Sequence, residues 1–414
     1  EQLKQQEQMH LYKDLELPLA EVLARMEFAG ITPDMELLAQ LNEDMSFRIA
    51  KLEKLAEEQA GESFNLKSPK QLGVILFERL QLPVIKKTKT GYSTDAKVLE
   101  ELYGKHPLIA TILEHRKLAK LQSTYLDGLK PLVNAKTARI HTHFQQMVTV
   151  TGRLSSTDPN LQNIPTRTEE GKQIRRIFVP GEGFDWLMSC DYSQVELRIL
   201  ACIAKDELLL ESFRHGQDVH ARTAAEVFGV PLEEVSSEMR SRAKAVNFGI
   251  VYGISDFGLA KQLQVSRKEA AGYIESYLTR YAGVKKYMDD MIQLAREQGY
   301  VSTLMGRRRY LPDIRHSNFN LRSFAERTAI NTPIQGTAAD IMKKAMIDVQ
   351  FALEAAKCQS RILLQVHDEL VLEVVESEKE QVAELVRSAM ENAVQLDIPL
   401  LADVNFGRNW AETK

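Results

Sequence analysis

The run Arg361-Ile-Leu-Leu-Gln-Val-His-Asp-Glu-Leu-Val-Leu-Glu-Val-Val375 leaves the chain few options. Two apolar, β-prone segments, Arg361 to Val366 and Leu370 to Val375, flank His367-Asp368-Glu369. The pattern predicts two buried strands joined by a tight turn. Adjacent carboxylates at such a tip repel one another unless solvent or a cation receives them. Taken alone, the hairpin reads as an ordinary polar turn. A second apolar run, Trp186-Leu-Met-Ser-Cys190, ends on Asp191. Two strand-borne aspartates far apart in sequence can meet on one sheet and hold two Mg²⁺ ions. Mg²⁺ takes oxygen ligands and keeps several waters, so two carboxylates plus substrate phosphates suffice. Phosphoryl transfer by two metals requires that arrangement.

A chain of 414 residues predicts two or three domains with substantial cores. Its 27% charged and 44% hydrophobic residues fit an ordinary globular protein. No apolar run is long enough to span a bilayer and no signal-peptide pattern opens the chain, so a cytoplasmic protein is expected, nucleoid-associated or phage-encoded. A chain that opens on Glu1 is expected to be a fragment or a processed product. Cys190, Cys202 and Cys358 lack metal-ligand spacing and fit a reducing compartment. The net charge of −4 argues weakly against a polyanion partner. Its distribution argues the other way: Thr303 to Ile330 carries six arginines, and Asp368 to Glu391 eight acids, as a basic face and an acidic back would. A solvated surface has the same signature.

The N-terminal third reads as helical. Pro18 and Gly30 bracket one helix, Pro33 opens another to about Gly61, Ser68-Pro69 starts a third and Pro107 opens a fourth to about Leu129. Val84 to Thr94 is basic and aperiodic, an exposed loop. Arg139 to Val150 is strand-like, and Thr151 to Lys172 has loop composition. That loop holds Arg153, Asn160, Gln162, Asn163 and Arg167, whose amides and guanidinium groups can donate to minor-groove acceptors without reading sequence. Helices occupy Ser193 to Ala204 and much of Lys205 to Gln298, with Asp218 and Ser266-x-x-Glu269 as caps. Within them Arg240, Lys244, Phe248 and Tyr252 recur every four residues. That step advances about 40° on a helix, giving one slowly winding stripe. Cations on it can neutralise a triphosphate while the rings stack on base and sugar. Two buried aromatics beside two solvated cations would have the same spacing. Tyr300 to Leu311 predicts a hairpin around Met305-Gly306. Helices are expected from Asn320 with a break near Pro333, then from Gln335 to Ala355. Ser377-x-x-Glu380 is expected to cap a helix to about Leu396, and Leu401 to Phe406 a last strand.

Three blocks stand in order: Asp191-Tyr-Ser-Gln-Val-Glu-Leu-Arg198, Arg240-x-x-x-Lys244-x-x-x-Phe248-Gly-x-x-Tyr252-Gly, and Gln365-Val-His-Asp-Glu-Leu370. Together they resemble the three motifs of family A DNA polymerases, most closely the large-fragment type of bacterial polymerase I. Thr151-Gly-Arg-Leu-Ser-Ser-Thr-Asp-Pro-Asn-Leu-Gln-Asn-Ile-Pro165 and Asn331-Thr-Pro-Ile-Gln-Gly-Thr-Ala-Ala-Asp340 match further family blocks, so the likeness spans essentially the whole chain. It implies an α+β right-hand fold: an antiparallel palm sheet with helical fingers and a helical thumb. The divisions implied are 1–31 palm-associated, 32–118 thumb, 119–204 palm, 205–320 fingers and 321–414 palm. About thirty residues before the thumb are too few for a proofreading domain, and none is expected here.

The same resemblance implies site roles. Asp191 and Asp368 match the metal-binding aspartates, with the carbonyl of Tyr192 as a further ligand to two Mg²⁺ ions, for which Mn²⁺ can substitute. Glu369 matches a lesser carboxylate. Arg240, Lys244 and His220 match triphosphate contacts, and Lys244 a general acid toward pyrophosphate. Gln194 falls in the nucleotide site. Phe248 and Tyr252 match residues that pack on the incoming nucleotide, and Phe248 in place of Tyr implies discrimination against dideoxynucleotides. Glu196 matches the residue that blocks a ribose 2′-OH. Arg153, Asn160, Gln162, Asn163, Arg167, Arg327, Asn331, Gln335 and His367 line the primer-template. Val195 stands where the family usually has Ile. The partners implied are primer-template DNA and dNTPs, with no membrane and a monomeric enzyme. The rivals are a single-subunit RNA polymerase, against which Glu196 speaks, a non-catalytic DNA-binding paralogue, which should have lost an aspartate, and a two-metal nuclease, which would not need the stripe.

Overall fold

The computed structural model describes residues 1–89, 91–166 and 168–414. Four antiparallel strands form its central sheet: β1 (Trp186–Tyr192), β2 (Arg361–Val366), β3 (Glu369–Val374) and β4 (Ala402–Gly407), in the order β2-β3-β1-β4. Leu187, Met188, Leu363, Leu370, Val371 and Leu372 are fully buried. Runs apolar on both faces belong in a sheet covered on both sides, and this one is. The Phe319–Ala355 and Lys379–Glu391 helices cover one face. The Glu169–Arg176 helix and the turn at Trp410–Thr413 cover the other. Trp410, with no exposed surface, packs edge-on against Phe178 there.

Between β1 and β2 the chain leaves the sheet for a helical insertion, including the Val219–Phe228, Ser237–Val251 and Ala282–Gln298 helices, and returns along Phe319–Ala355. Before the sheet, the Met35–Ala60 helix, capped by Asp34, lies against the Pro107–Leu121 helix. At one end of this pair a separate small core gathers Leu66, Leu72, Leu76 and Leu99 against Ile109 of the second helix. The arm therefore has its own apolar centre, distinct from that of the sheet.

Several local expectations give way. Only His143–Gln145 of the strand-like stretch 139–150 is strand, paired with Ser155–Thr157 inside the expected loop. That loop also ends in the Glu169–Arg176 helix. The basic 84–94 stretch contains a short ladder, Lys87–Thr88 on Gly91–Tyr92. Pro333 does not break its helix, which runs unbroken from Phe319 to Ala355. Proline forfeits one backbone bond and crowds the preceding turn, but Thr332, Pro333 and Ile334 are buried, and packing outweighs the loss. Among the described residues Ser377 makes no cap: the last long helix is Lys379–Glu391, and the Glu378 side chain before it accepts from the backbone of Gln359 and Ser360. Among the described residues no helix is long and apolar enough to cross a membrane.

Candidate active site

Asp191 lies one residue from the end of β1. Alternation along a strand sends successive side chains to opposite faces. Ser189 donates its hydroxyl to the Thr413 carbonyl at 2.7 Å, whereas Tyr192 donates to the Met390 carbonyl at 2.6 Å. Asp191 shares the Ser189 face. Directly opposite it stand Glu369 on β3 and Asp403 on β4. Asp368 sits in the two-residue turn between β2 and β3, and its carbonyl accepts from the Tyr192 N–H at 3.0 Å, which fastens that turn to the end of β1. His367 in this turn and Gln194 just after β1 both have φ of 55°. Left-handed backbone at a non-glycine residue costs on the order of 1–3 kcal/mol. Here the two flank the strand ends that carry the aspartates.

Negative charge accumulates at this end of the sheet. Burial lifts the Asp191 carboxyl to about 6; Glu369, Asp368 and Asp403 add to the lift against the pull of Lys414. Asp368 is also raised, first by burial, with Arg153, His367 and Lys414 opposing. Both groups would be relieved by a cation. Their oxygens and the Tyr192 carbonyl are hard donors of the kind Mg²⁺ takes. The nearby Cys190 is fully buried on the other face, its thiol pushed up to about 12, so no thiolate competes. The donor set fits a hard divalent cation. Among the described residues no three His, Cys, Asp or Glu side chains are disposed to hold an ion by themselves. An ion here would rest on two carboxylates, a carbonyl and whatever the substrate brings.

Glu369 is 1% exposed. Trp410 Nε1 donates to it at 3.3 Å, and Lys414 Nζ lies 2.9 Å from its other oxygen and 3.8 Å from Asp191. Lys414 was not foreseen, and nothing in its sequence surroundings marks it.

The predicted stripe lies along the Ser237–Val251 helix, with Tyr252 at its end. Arg240 and Lys244 are exposed, Phe248 is half-buried and Tyr252 exposed. Arg240 pairs with Asp218 at 2.6 Å, a contact that the capping role of Asp218 did not announce. Lys244 Nζ lies 6.0 Å from the centre of the Phe248 ring. His220 is buried, its ring 5.7 Å from that of Phe248. Glu196, 4% exposed on the first turn after β1, takes Arg153 at 2.6 Å and the Tyr252 hydroxyl. Three separate motifs thus close into one contact. Gln194 lies half-buried, its side-chain oxygen without a hydrogen-bond partner among the described residues.

Of the residues expected along DNA, Asn160 caps the Leu161–Asn163 turn, the Asn163 carbonyl accepts from Tyr125 at 2.7 Å, and Gln162 donates to Gln365 at 3.0 Å. Asn160 and Asn163 face Lys117 and Lys120 across a groove of about 500 Å³. Arg327, Asn331 and Gln335 recur every four residues on the long helix, all half-buried, and Arg327 donates to Ser323 at 2.7 Å. His367 is exposed. Arg167 lies outside the described residues.

A model of DNA polymerase family A matches residues 35–412. The chain belongs to that family. It is 54% identical to DNA polymerase I of Geobacillus stearothermophilus and 53% to that of Bacillus subtilis, each alignment covering 100% of this chain and 47% of the relative. The chain thus spans about half the length of the curated relatives it matches. Among solved structures it resembles the POL domain of Pol1 from M. smegmatis in complex with DNA primer-template and dNTP, with a TM-score of 0.94 and 47% identity over 99% of this chain and 72% of that one. The fold is the α+β right hand of the family A polymerases.

Proposed function

We propose that this chain performs template-directed DNA synthesis, joining dNMP from a dNTP to a primer 3′-OH with release of pyrophosphate. The observation that carries the reading is the meeting of Asp191 and Asp368 at one end of the sheet, tied to the Arg240–Tyr252 stripe through Tyr252, Glu196 and Arg153. The names of the relatives, and the primer-template and dNTP in the M. smegmatis structure, support it. On this reading 32–118 is the thumb, 205–320 the fingers, and 1–31, 119–204 and 321–414 the palm. The enzyme acts as a monomer in the cytoplasm.

Asp191, Asp368 and the Tyr192 carbonyl would hold two Mg²⁺ ions, or Mn²⁺ in their place. Bound there, the ions supply the positive charge on which phosphoryl transfer depends. The other roles belong to the chain. Arg240, Lys244 and His220 hold the triphosphate, and Lys244 delivers a proton toward the leaving pyrophosphate. Phe248 and Tyr252 pack on the sugar and base, beside Gln194. Glu196 fills the space beside C2′, and a built clash is how a close analogue is rejected. Arg153, Asn160, Gln162, Asn163, Arg167, Arg327, Asn331, Gln335 and His367 follow the duplex near the primer end.

Primer extension with dNTPs or rNTPs, on DNA or RNA templates, tests the reading. Mg²⁺-dependent extension with dNTPs on DNA is expected. Preferential use of rNTPs would replace it with an RNA polymerase, and template binding without extension would leave a DNA-binding paralogue.

A further inference from the structure

Inside the helical insertion runs a chain of polar side chains that the site residues above do not explain. Tyr281, Thr223 and Asn247 are 1%, 0% and 0% exposed. Tyr281 Oη lies 3.3 Å from Thr223 Oγ1, Thr223 Oγ1 lies 3.1 Å from Asn247 Oδ1, and Asn247 Nδ2 lies 3.0 Å from His220 Nδ1. The chain begins between the Arg267–Arg280 and Ala282–Gln298 helices, crosses two more, and ends on a residue read above as a triphosphate contact.

Such a chain can be polarised in two directions. In one, Tyr281 donates to Thr223, Thr223 donates to the Asn247 carbonyl, and the Asn247 amide N–H donates to His220 Nδ1. In the other, His220 Nδ1–H donates to a flipped Asn247 amide, whose NH₂ donates to Thr223, which donates to Tyr281. The second direction strands a proton. Thr223 is the single hydrogen-bond partner recorded for the Tyr281 hydroxyl among the described residues, so that O–H would point at nothing in a sealed interior. A buried donor left unpaired bears the full desolvation penalty. The first direction pairs both hydroxyl protons, the Asn247 carbonyl and His220 Nδ1. It makes His220 Nδ1 an acceptor, so the proton of the neutral ring sits on Nε2.

The ring is neutral across the physiological range. Burial, the largest influence, and the Lys244 and Arg240 charges push its pKa down to about 4 against the opposing pull of Asp218. A neutral imidazole offers either a donor or a lone pair at Nε2, and the two act oppositely on a phosphate oxygen. We propose that Asn247, backed by Thr223 and Tyr281, is a positioning residue that fixes His220 as the Nε2–H tautomer, so that the ring donates a hydrogen bond to the nucleotide triphosphate beside Arg240 and Lys244. The proposal rests on the reading of His220 as a triphosphate contact.

Long-range ¹H–¹⁵N correlation spectra of protein labelled at histidine, with the His220 signals assigned by their loss in His220→Gln, read the tautomer without any need for activity. The parent protein should show Nε2–H. Asn247→Asp offers only acceptors and should move the proton to Nδ1 or add one there. Thr223→Val, a milder change, frees the amide to turn and should mix the tautomers. In kinetics, His220→Gln and Asn247→Asp should each raise the KM for dNTP by about tenfold, the scale of one hydrogen bond to a charged group, with a smaller change in kcat. The KM of Asn247→Asp should also acquire a pH dependence that the parent lacks. A purely structural asparagine would shift the melting temperature and leave tautomer and pH profile alone. An Nδ1–H signal in the parent, or an unmoved tautomer in Asn247→Asp, overturns the relay. The expected tautomers with an unchanged KM in both variants overturn its role toward the nucleotide. A parent protein that extends no primer yet shows the expected tautomers would sink the polymerase reading, and with it the triphosphate role, while leaving the relay standing.

Discussion

Asp191 is at odds with its surroundings. It is a carboxylate facing two others across the sheet and lifted to about 6, chiefly by burial. A folded-state pKa above the ordinary carboxylate value means that the folded chain binds the proton more tightly than the unfolded chain. Metal-free stability should therefore fall as pH rises from about 4 to about 6 and stay low above that. Asp191→Asn removes the charge. In chelator at about pH 8 the variant should melt higher than the parent, with the gap closing near pH 4, and Mg²⁺ should stabilise the parent alone. Equal melting of the two at about pH 8 would refute the account. Asp191→Asn or Asp368→Asn should also slow primer extension by ~10³-fold or more, about 4 kcal/mol of barrier. Glu196 is a second test at this scale. Glu196→Ala should open the space beside C2′ and raise ribonucleotide incorporation relative to dNTP. Because the carboxylate also holds Arg153 and Tyr252, some loss of dNTP efficiency should accompany it. Unchanged sugar selectivity would remove Glu196 from the gate.

Among the elements, the clearest join between the N-terminal arm and the sheet is ionic. Glu170, in the first turn of the Glu169–Arg176 helix, takes Arg48 of the Met35–Ala60 helix at 2.8 Å and Lys117 of the Pro107–Leu121 helix at 3.0 Å. Burial alone would raise its carboxyl. The bonds from Arg48, its own backbone and Lys117 outweigh that and hold it at about 2. A depressed pKa gives stability that is complete above the ordinary carboxylate value and lost as pH falls from about 4.5 toward 2. Glu170→Gln should therefore lower stability by about 1–2 kcal/mol at neutral pH and flatten the acid limb of the melting curve; an unchanged limb would count against the join. This contact was not legible in the chain, because it links three helices distant in sequence. What could be read was local and strongly patterned. The buried strands appear as predominantly apolar runs, interrupted only by single polar residues such as Ser189, Gln365 and Glu373, and Asp218 and Ser266 cap helices where their spacing says they should. The 139–150 stretch misled because Ile140, Thr142 and Phe144 alternate inward as strand residues do. Only a short ladder forms there, and the Thr142 hydroxyl bonds Ser156 and the Pro159 carbonyl instead.

Across the whole molecule, charge was the least legible property, since a run of arginines does not say which of them face water. Of the six between Thr303 and Ile330, Arg307 is turned inward, bonded to Glu16 and to Asp340 at 2.7 Å, and Arg309 donates to Thr332. The basic face has to be assembled instead from separate elements. Lys120, with no ion pair among the described residues, lines the groove with Asn160 and Asn163, while Arg240 and Lys244 project from the insertion. Duplex binding releases counterions, so log Kd plotted against log salt should be linear, with a slope of about 0.9 per phosphate neutralised. Lys120→Ala should reduce that slope by about 0.9 and weaken binding alike on every sequence. Lys379 is the internal control. It lies over Trp186 at the opposite end of β1, roughly 17 Å of strand from Asp191, so Lys379→Met should leave the slope unaltered. Net charge changes identically in the two variants. A slope that responds equally to both would mean that DNA senses only the overall charge of the protein, and the groove would lose its claim to the duplex.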